Sequence, residues 1–155
     1  MRLLLLTARP DLAVNRRFAD AAAAACVQME TMDGTAAAAM IATGSLTLVG
    51  RSTPSARPDA VIARVGNWRP ESLLAALEAL TAQDVATPNP PAAIRIGRDH
   101  WATLRTLAEA GIPVPGSLAG ADPEFLAAAA IKHLGLPAVV KQRRSRMGVG
   151  VMCCH

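Results

Sequence analysis

The stretch VVKQRRSRMGVGVMCCH, residues 139–155, gathers residue types suited to holding an anion. Lys141 ends an apolar run that reads as a strand, arginines follow at 143, 144 and 146, and Gly148 and Gly150 lie one residue apart. A lysine on a rigid strand is a fixed point charge, and glycines let backbone N–H groups come close to phosphate oxygens. Strand, lysine, glycine-containing turn and strand therefore make a coherent nucleotide grip. The same residues equally suit an exposed turn in which arginine serves solubility and glycine serves geometry. Both readings stay open on these residues alone, because one lysine and a glycine turn are a weak motif.

The stronger phosphate signatures are missing. There is no G-x-x-x-x-G-K-[ST], and Gly148 and Gly150 lack the third glycine of a dinucleotide fingerprint and precede a strand rather than a helix. Arg64, Gly66 and Asn67 follow the run DAVIAR, at the carboxyl end of an expected strand. Parallel α/β sheets present ligands at that end, although Gly and Asn also serve ordinary turns. Arg16 and Arg17 read as helix-surface charges. Cys153, Cys154 and His155 do not make a metal site, because neighbours on a strand point to opposite faces and no fourth ligand is evident.

Composition narrows the classes. A chain of 155 residues with 52% hydrophobic content can bury a real core, as one domain or one and a half. Lys and Arg total 16 against 12 Asp and Glu, a net +4, which favours anionic partners without choosing among them. Aromatic residues make up 3% with no tyrosine, which counts against single-stranded nucleic acid, whose bases stack on aromatic rings. Three cysteines, an odd number without spaced pairs, argue against a disulfide framework and fit a reducing cytoplasm. The run Leu3 to Leu6 is interrupted by Arg9 and Asp11, too early for a signal peptide, and no run reaches the roughly 18 apolar residues of a membrane span. The reading is a soluble chain with residues 3–6 as a buried strand.

These side chains have to be positioned by regular elements. RLLLLT reads as a strand, and NRRFADAAAAAC as a helix with Asn15 as N-cap and alanine as the strongest helix former. VQMETM, SLTLV and DAVIAR read as further strands, the last two separated by the loop GRSTPSARP. PESLLAALEALTAQ puts Leu73, Leu74, Leu77 and Leu80 on one helix face, with Pro70 in the first turn. Alternating strands and helices predict a parallel sheet with crossover helices over residues 1–90. The loop ATPNPPAAI marks a boundary, and residues 91–155 restart the pattern. RDHWATLRTLAEAG is an amphipathic helix with Trp101, Leu104, Leu107 and Ala108 inward and Gly111 at its end. IPVPGSLAG suits an edge strand at most, and Asp122 and Pro123 open a helix that Gly135 and Pro137 stop. LPAVVKQ and MGVGVMCC are strands, with RRSR as the turn between them.

Taken in order, LLTARPDLAVNRRFADAA, PDAVIARVG, TPNPPAAIRIGRDHWATLRTLAEAGIPVP and PAVVKQRRSRMGVGV resemble the amino-terminal half of the RimK-like ATP-grasp ligases, which attach glutamate to a protein or small-molecule acceptor. The resemblance implies a small α/β pre-ATP-grasp domain, followed by the first part of an incomplete ATP-grasp fold. It implies ATP and Mg2+ as cofactors, an amino-acid or peptide acceptor, and a reaction through an acyl phosphate. It assigns Lys141 to an ATP phosphate and the loop from Arg143 to Gly150, with Arg144, Ser145, Gly148 and Gly150, to the same phosphates as a flexible lid. Arg64 and Asn67, with Arg16 and Arg17, would face the acceptor.

Departures from the family pattern accompany this. His100 stands where a nucleotide-binding lysine is usual, Ser145 where a loop glycine is common and Arg144 where an acidic residue is common. Histidine, mostly neutral at pH 7, is the weaker phosphate ligand, whereas the guanidinium fork of arginine could compensate. The family's magnesium ligands and its glutamate-recognising arginine lie beyond His155, so no metal ligand and no catalytic residue is assigned. The expectation is a ligase portion inactive alone, requiring a carboxyl-terminal half or self-associating through apolar strands. The alternative is a non-catalytic α/β module that binds a nucleotide or a partner.

Overall fold

In the computed structural model, which describes residues 1–145 and 148–155, the four leucines of RLLLLT form the centre of a sheet. Strand β1 (Arg2–Thr7) lies between β2 (Gln28–Asp33) and β5 (Ala60–Arg64), all parallel. Leu4, Leu5 and Leu6 are each at most 1% exposed, so both faces of β1 are covered, which is why its apolar run is continuous rather than alternating. Helix α1 (Ala13–Ala24) connects β1 to β2 as a crossover. Helix α2 (Pro70–Thr81) buries Leu73, Leu74, Leu77 and Leu80 together with Ala76 and Ala79. After α2 the chain returns to the sheet edge, where Ala86 bridges Ala60 in parallel and Val85 is buried.

Between β2 and β5 the expected crossover helix is absent. The segment Ala37–Ala42 is a strand, β3, that pairs antiparallel with β4 (Ser45–Gly50), so SLTLV belongs to a hairpin rather than to the parallel sheet. Four alanines in TAAAAM favour helix by propensity. The turn decides otherwise: Ala42 pairs with Ser45 across Thr43 and Gly44, both at positive φ (48° and 77°), the two-residue geometry that matches strand twist. The hairpin packs on α2, which gives its alanines a surface to cover.

Asn15 is not an N-cap. Helix α1 starts after Leu12 with no side-chain cap, and Asn15, 4% exposed, sits within the first turn. Its Nδ2 donates to the carbonyls of Arg9 (2.7 Å) and Pro10 (2.9 Å), which ties the β1–α1 loop to the helix. A buried amide has to find such partners, and here the loop carbonyls outweigh the cap.

The chain divides into two units, Met1–Pro91 and Ala92–His155. In the second, α3 (Pro91–Gly97) opens inside the segment read as a loop, with proline at its first position, where a missing N–H costs nothing. Helix α4 (His100–Glu109) ends at Gly111, φ 73°, and α5 (Pro123–His133) is capped by the Asp122 carboxylate, which accepts from the Phe125 N–H at 3.0 Å. Residues 112–120 form no strand. Trp101, Leu104 and Leu107 are half-buried, but Ala108 is exposed, contrary to its expected inward position. Strands β6 (Ala138–Lys141) and β7 (Val151–Cys154) pair antiparallel. The second strand is shorter than MGVGVMCC: Gly148, Val149 and Gly150 belong to a turn, and Met147, with Arg146, lies outside the described residues.

Candidate functional site

Strand β6 delivers Lys141 to the mouth of the hairpin, opposite Val151 in the register, with its side chain exposed. Gly148 and Gly150 have φ of 74° and 69°, a conformation L side chains rarely adopt. A Cβ on Gly150 would also lie 2.6 Å from the Gln142 side chain. The Gln142 N–H donates to the Gly150 carbonyl at 3.1 Å and the Val151 N–H to Gly148 at 3.3 Å, closing the base of the loop. Lys141, Arg144, Ser145, Gly148 and Gly150 thus share one hairpin.

His100 joins them from α4. Its N–H donates to the Arg143 carbonyl at 2.9 Å, and its Nε2 lies 3.5 Å from the Ser145 hydroxyl. The adjoining Asp99 was not anticipated as a functional residue, and Arg143, expected only as part of the phosphate loop, turns out to pair with it. Asp99 is the N-cap of α4, its Oδ1 accepting from the Ala102 N–H at 3.0 Å, and it is 3% exposed. Arg143 grips the same carboxylate through Nε, 2.9 Å from both oxygens, and Nη2, 2.7 Å from Oδ2. Arg144 Nε is 3.6 Å from Oδ2. Hydrogen bonds from Arg143 first and Ala102 second hold the Asp99 carboxyl well below the ordinary range, and the same pairing raises Arg143 further above its own. An aspartate just before an amphipathic helix is a legible cap signal; its pairing with an arginine 44 residues later is not.

The chemistry available is anion binding by one lysine, one uncommitted-face arginine and turn N–H groups. The magnesium implied by the family does not fit the donor set. Among the described residues no three His, Cys, Asp or Glu side chains gather, and Asp99 is already taken up by two arginines. A hard dication needs several oxygen donors, and here it would meet cations.

Arg64 and Asn67 belong to the first unit and are described there alone. Arg64 closes β5, half-buried, donating through Nη1 to the Asn15 Oδ1, with its guanidinium 5.7 Å from the Phe18 ring centre. Asn15 thereby joins the β1–α1 loop, α1 and β5 at the carboxyl end of the parallel strands. Asn67 is exposed in the bend that follows, and Arg16 and Arg17 are exposed on α1. An open groove of about 360 Å³ at the other end of these strands is lined by Arg2, Gln28, Glu30, Ser55 and Pro58. Its Glu30 carboxylate is engaged by the Ser55 N–H and hydroxyl, so the groove offers less than the hairpin does.

A family model for the RimK PreATP-grasp domain matches residues 1–94. A "Probable alpha-L-glutamate ligase" of Pasteurella multocida is 30% identical over 160 residues, which cover 98% of this chain and 51% of that protein. The Haemophilus ducreyi protein of the same description is 38% identical over 105 residues, 66% of this chain and 34% of that protein. The chain spans about half the length, or less, of the curated relatives it matches. Among solved structures, a RimK domain protein ATP-grasp from Sphaerobacter thermophilus superposes with a TM-score of 0.68 at 22% identity, over 99% of this chain and 55% of that one. The ATP-grasp ligase PsnB, solved with a minimal precursor, Mg and ADP, gives 0.65 at 20% identity, over 99% of this chain and 57% of that one. These likenesses establish a shared mixed α/β fold with a parallel sheet, and the sequence matches establish kinship: the chain belongs to the RimK-like ATP-grasp ligase family, through the pre-ATP-grasp domain and the segment that follows it.

Proposed function

We propose that residues 91–155 carry the phosphate-binding portion of an ATP-dependent carboxylate–amine ligase, and residues 1–90 its pre-ATP-grasp domain. The observation that carries this is the β6–β7 hairpin, which sets Lys141 beside two positive-φ glycines, with Arg144, Ser145 and His100 alongside. Lys141 and Arg144 would offset charge on the β- and γ-phosphates, while the turn N–H groups and the Ser145 hydroxyl would donate hydrogen bonds to their oxygens. His100 would add a hydrogen bond from its ring nitrogen.

The reaction proposed is the one the glutamate-ligase relatives suggest. A carboxylate oxygen attacks the γ-phosphorus and ADP departs. An amine nitrogen then attacks the acyl carbon, phosphate leaves and the nitrogen loses a proton. Glutamate would be the amine and the acceptor a protein tail or small carboxylate, faced by Arg64 and Asn67 at the carboxyl end of the first unit's strands. The part proposed for these residues is nucleotide binding, with no metal ligand assigned among the described residues. Free cysteines at 26, 153 and 154 fit a cytoplasmic setting, and no helix among the described residues is long and apolar enough to cross a membrane.

A second reading, a non-catalytic nucleotide- or partner-binding module, is favoured by the commitment of Asp99 to arginines instead of a metal. Calorimetric titration with MgATP tests the shared premise: binding that Lys141→Ala weakens about tenfold or more supports it, and absence of binding rejects it. Mg-dependent ADP release by the wild-type chain would instead show that the 155 residues are catalytic.

A further inference from the structure

The two neighbouring arginines of the hairpin are not equivalent. Arg143 makes a two-nitrogen fork on Asp99, the arrangement in which arginine and carboxylate bind most tightly. Its carbonyl takes the His100 N–H at 2.9 Å, so the residue is fastened to the start of α4 at both main chain and side chain. Asp99 is in turn fixed by its role as cap, and its carboxylate is almost wholly covered. Arg144 makes one contact with that carboxylate, at 3.6 Å, and its side chain is 75% exposed. The fork commits the Nε hydrogen and one Nη2 hydrogen of Arg143, whose side chain is 61% exposed, and fixes its guanidinium in place, whereas Arg144, with one longer contact, keeps more of its donors.

We propose that Asp99 and Arg143 form a positioning clasp that fixes residues 143–145 against α4, and that Arg144 is the arginine presented to polyphosphate. The clasp sets where the Arg144 and Ser145 backbone leaves the start of α4. It also distinguishes two adjacent cations beside one carboxylate: Arg143 takes Asp99 in a fork, and Arg144, 3.6 Å from Oδ2 through Nε, keeps a side chain that is 75% exposed. The assignment of Arg144 rests on the phosphate reading of the hairpin; the clasp does not.

The test uses the full 155-residue chain, labelled for residue-resolved amide exchange and titrated with MgATP by calorimetry. In Arg143→Gln the His100 amide, which donates to Arg143, is expected to exchange about tenfold faster, while Ala102, held by Asp99 itself, keeps its rate. Arg143→Lys should fall between, since lysine restores the charge without the fork. Arg144→Gln should leave both amides unaltered and weaken MgATP binding about tenfold. An unaltered His100 rate in Arg143→Gln, or a rise at His100 and Ala102 together, overturns the clasp. A wild-type chain that binds no MgATP while His100 stays protected overturns the role given to Arg144 and leaves the clasp standing.

Discussion

Asp99 does two things with one carboxylate: it caps α4 and it holds Arg143. Because its folded-state pKa is depressed below the ordinary 3.8, the tie contributes stability that is fully present above about pH 4 and is lost as pH falls further, through the lower folded value. Protection of the His100 amide, corrected for intrinsic exchange, is therefore expected to hold constant from pH 7 to about pH 4 and to decline only below it. A decline already complete above about pH 5 would contradict this. Asn15 shows the same economy in the first unit, where one buried amide satisfies two loop carbonyls and an arginine. Neither arrangement was legible from residue type. Asn near a helix start reads as a cap by frequency, and only the surrounding fold reveals that a loop carbonyl is closer.

At the scale of elements, the two units differ in how their helices are used. Leu77 on α2 is fully buried, as are Leu73, Leu74 and Val61, and Leu77→Ala is expected to cost about 2–5 kcal/mol in denaturant unfolding, for lost burial plus a residual cavity. A cost below about 1 kcal/mol would contradict the packing described. The spacing of leucines made α2 readable, as the unbroken apolar run made β1 readable, because burial imposes a period that composition cannot hide. Strand β3 was not readable for the opposite reason. Its alanines carry almost no period, and its conformation is imposed by the Thr43–Gly44 turn and by the α2 surface it covers. In α4 the amphipathic stripe was legible but its endpoint was not: Trp101, Leu104 and Leu107 are only half-covered and Ala108 is exposed.

For the whole molecule, burial is concentrated in the first unit. Every buried apolar residue described lies between Leu4 and Val85, and among the described residues 92–155 only Asp99 is buried. Phe125, Ile131, Val139, Val140, Val151 and Met152 are all exposed, an amount of apolar surface that soluble monomers rarely leave uncovered. Light scattering of the purified 155-residue chain is expected to show species larger than its 16.1 kDa monomer; a monodisperse monomer would contradict this. Family and fold class were legible because the motifs run in order along the full length, and the structure brings Lys141, His100 and the loop carrying Gly148 and Gly150 to one hairpin, whose role is a proposal. The role proposed for this loop is to grip phosphate. Calorimetric titration of wild type and Lys141→Ala with MgATP tests it most directly: measurable binding by wild type, weakened about tenfold or more by the substitution, is the predicted result. Equal affinity in the two proteins, or none in either, would contradict it.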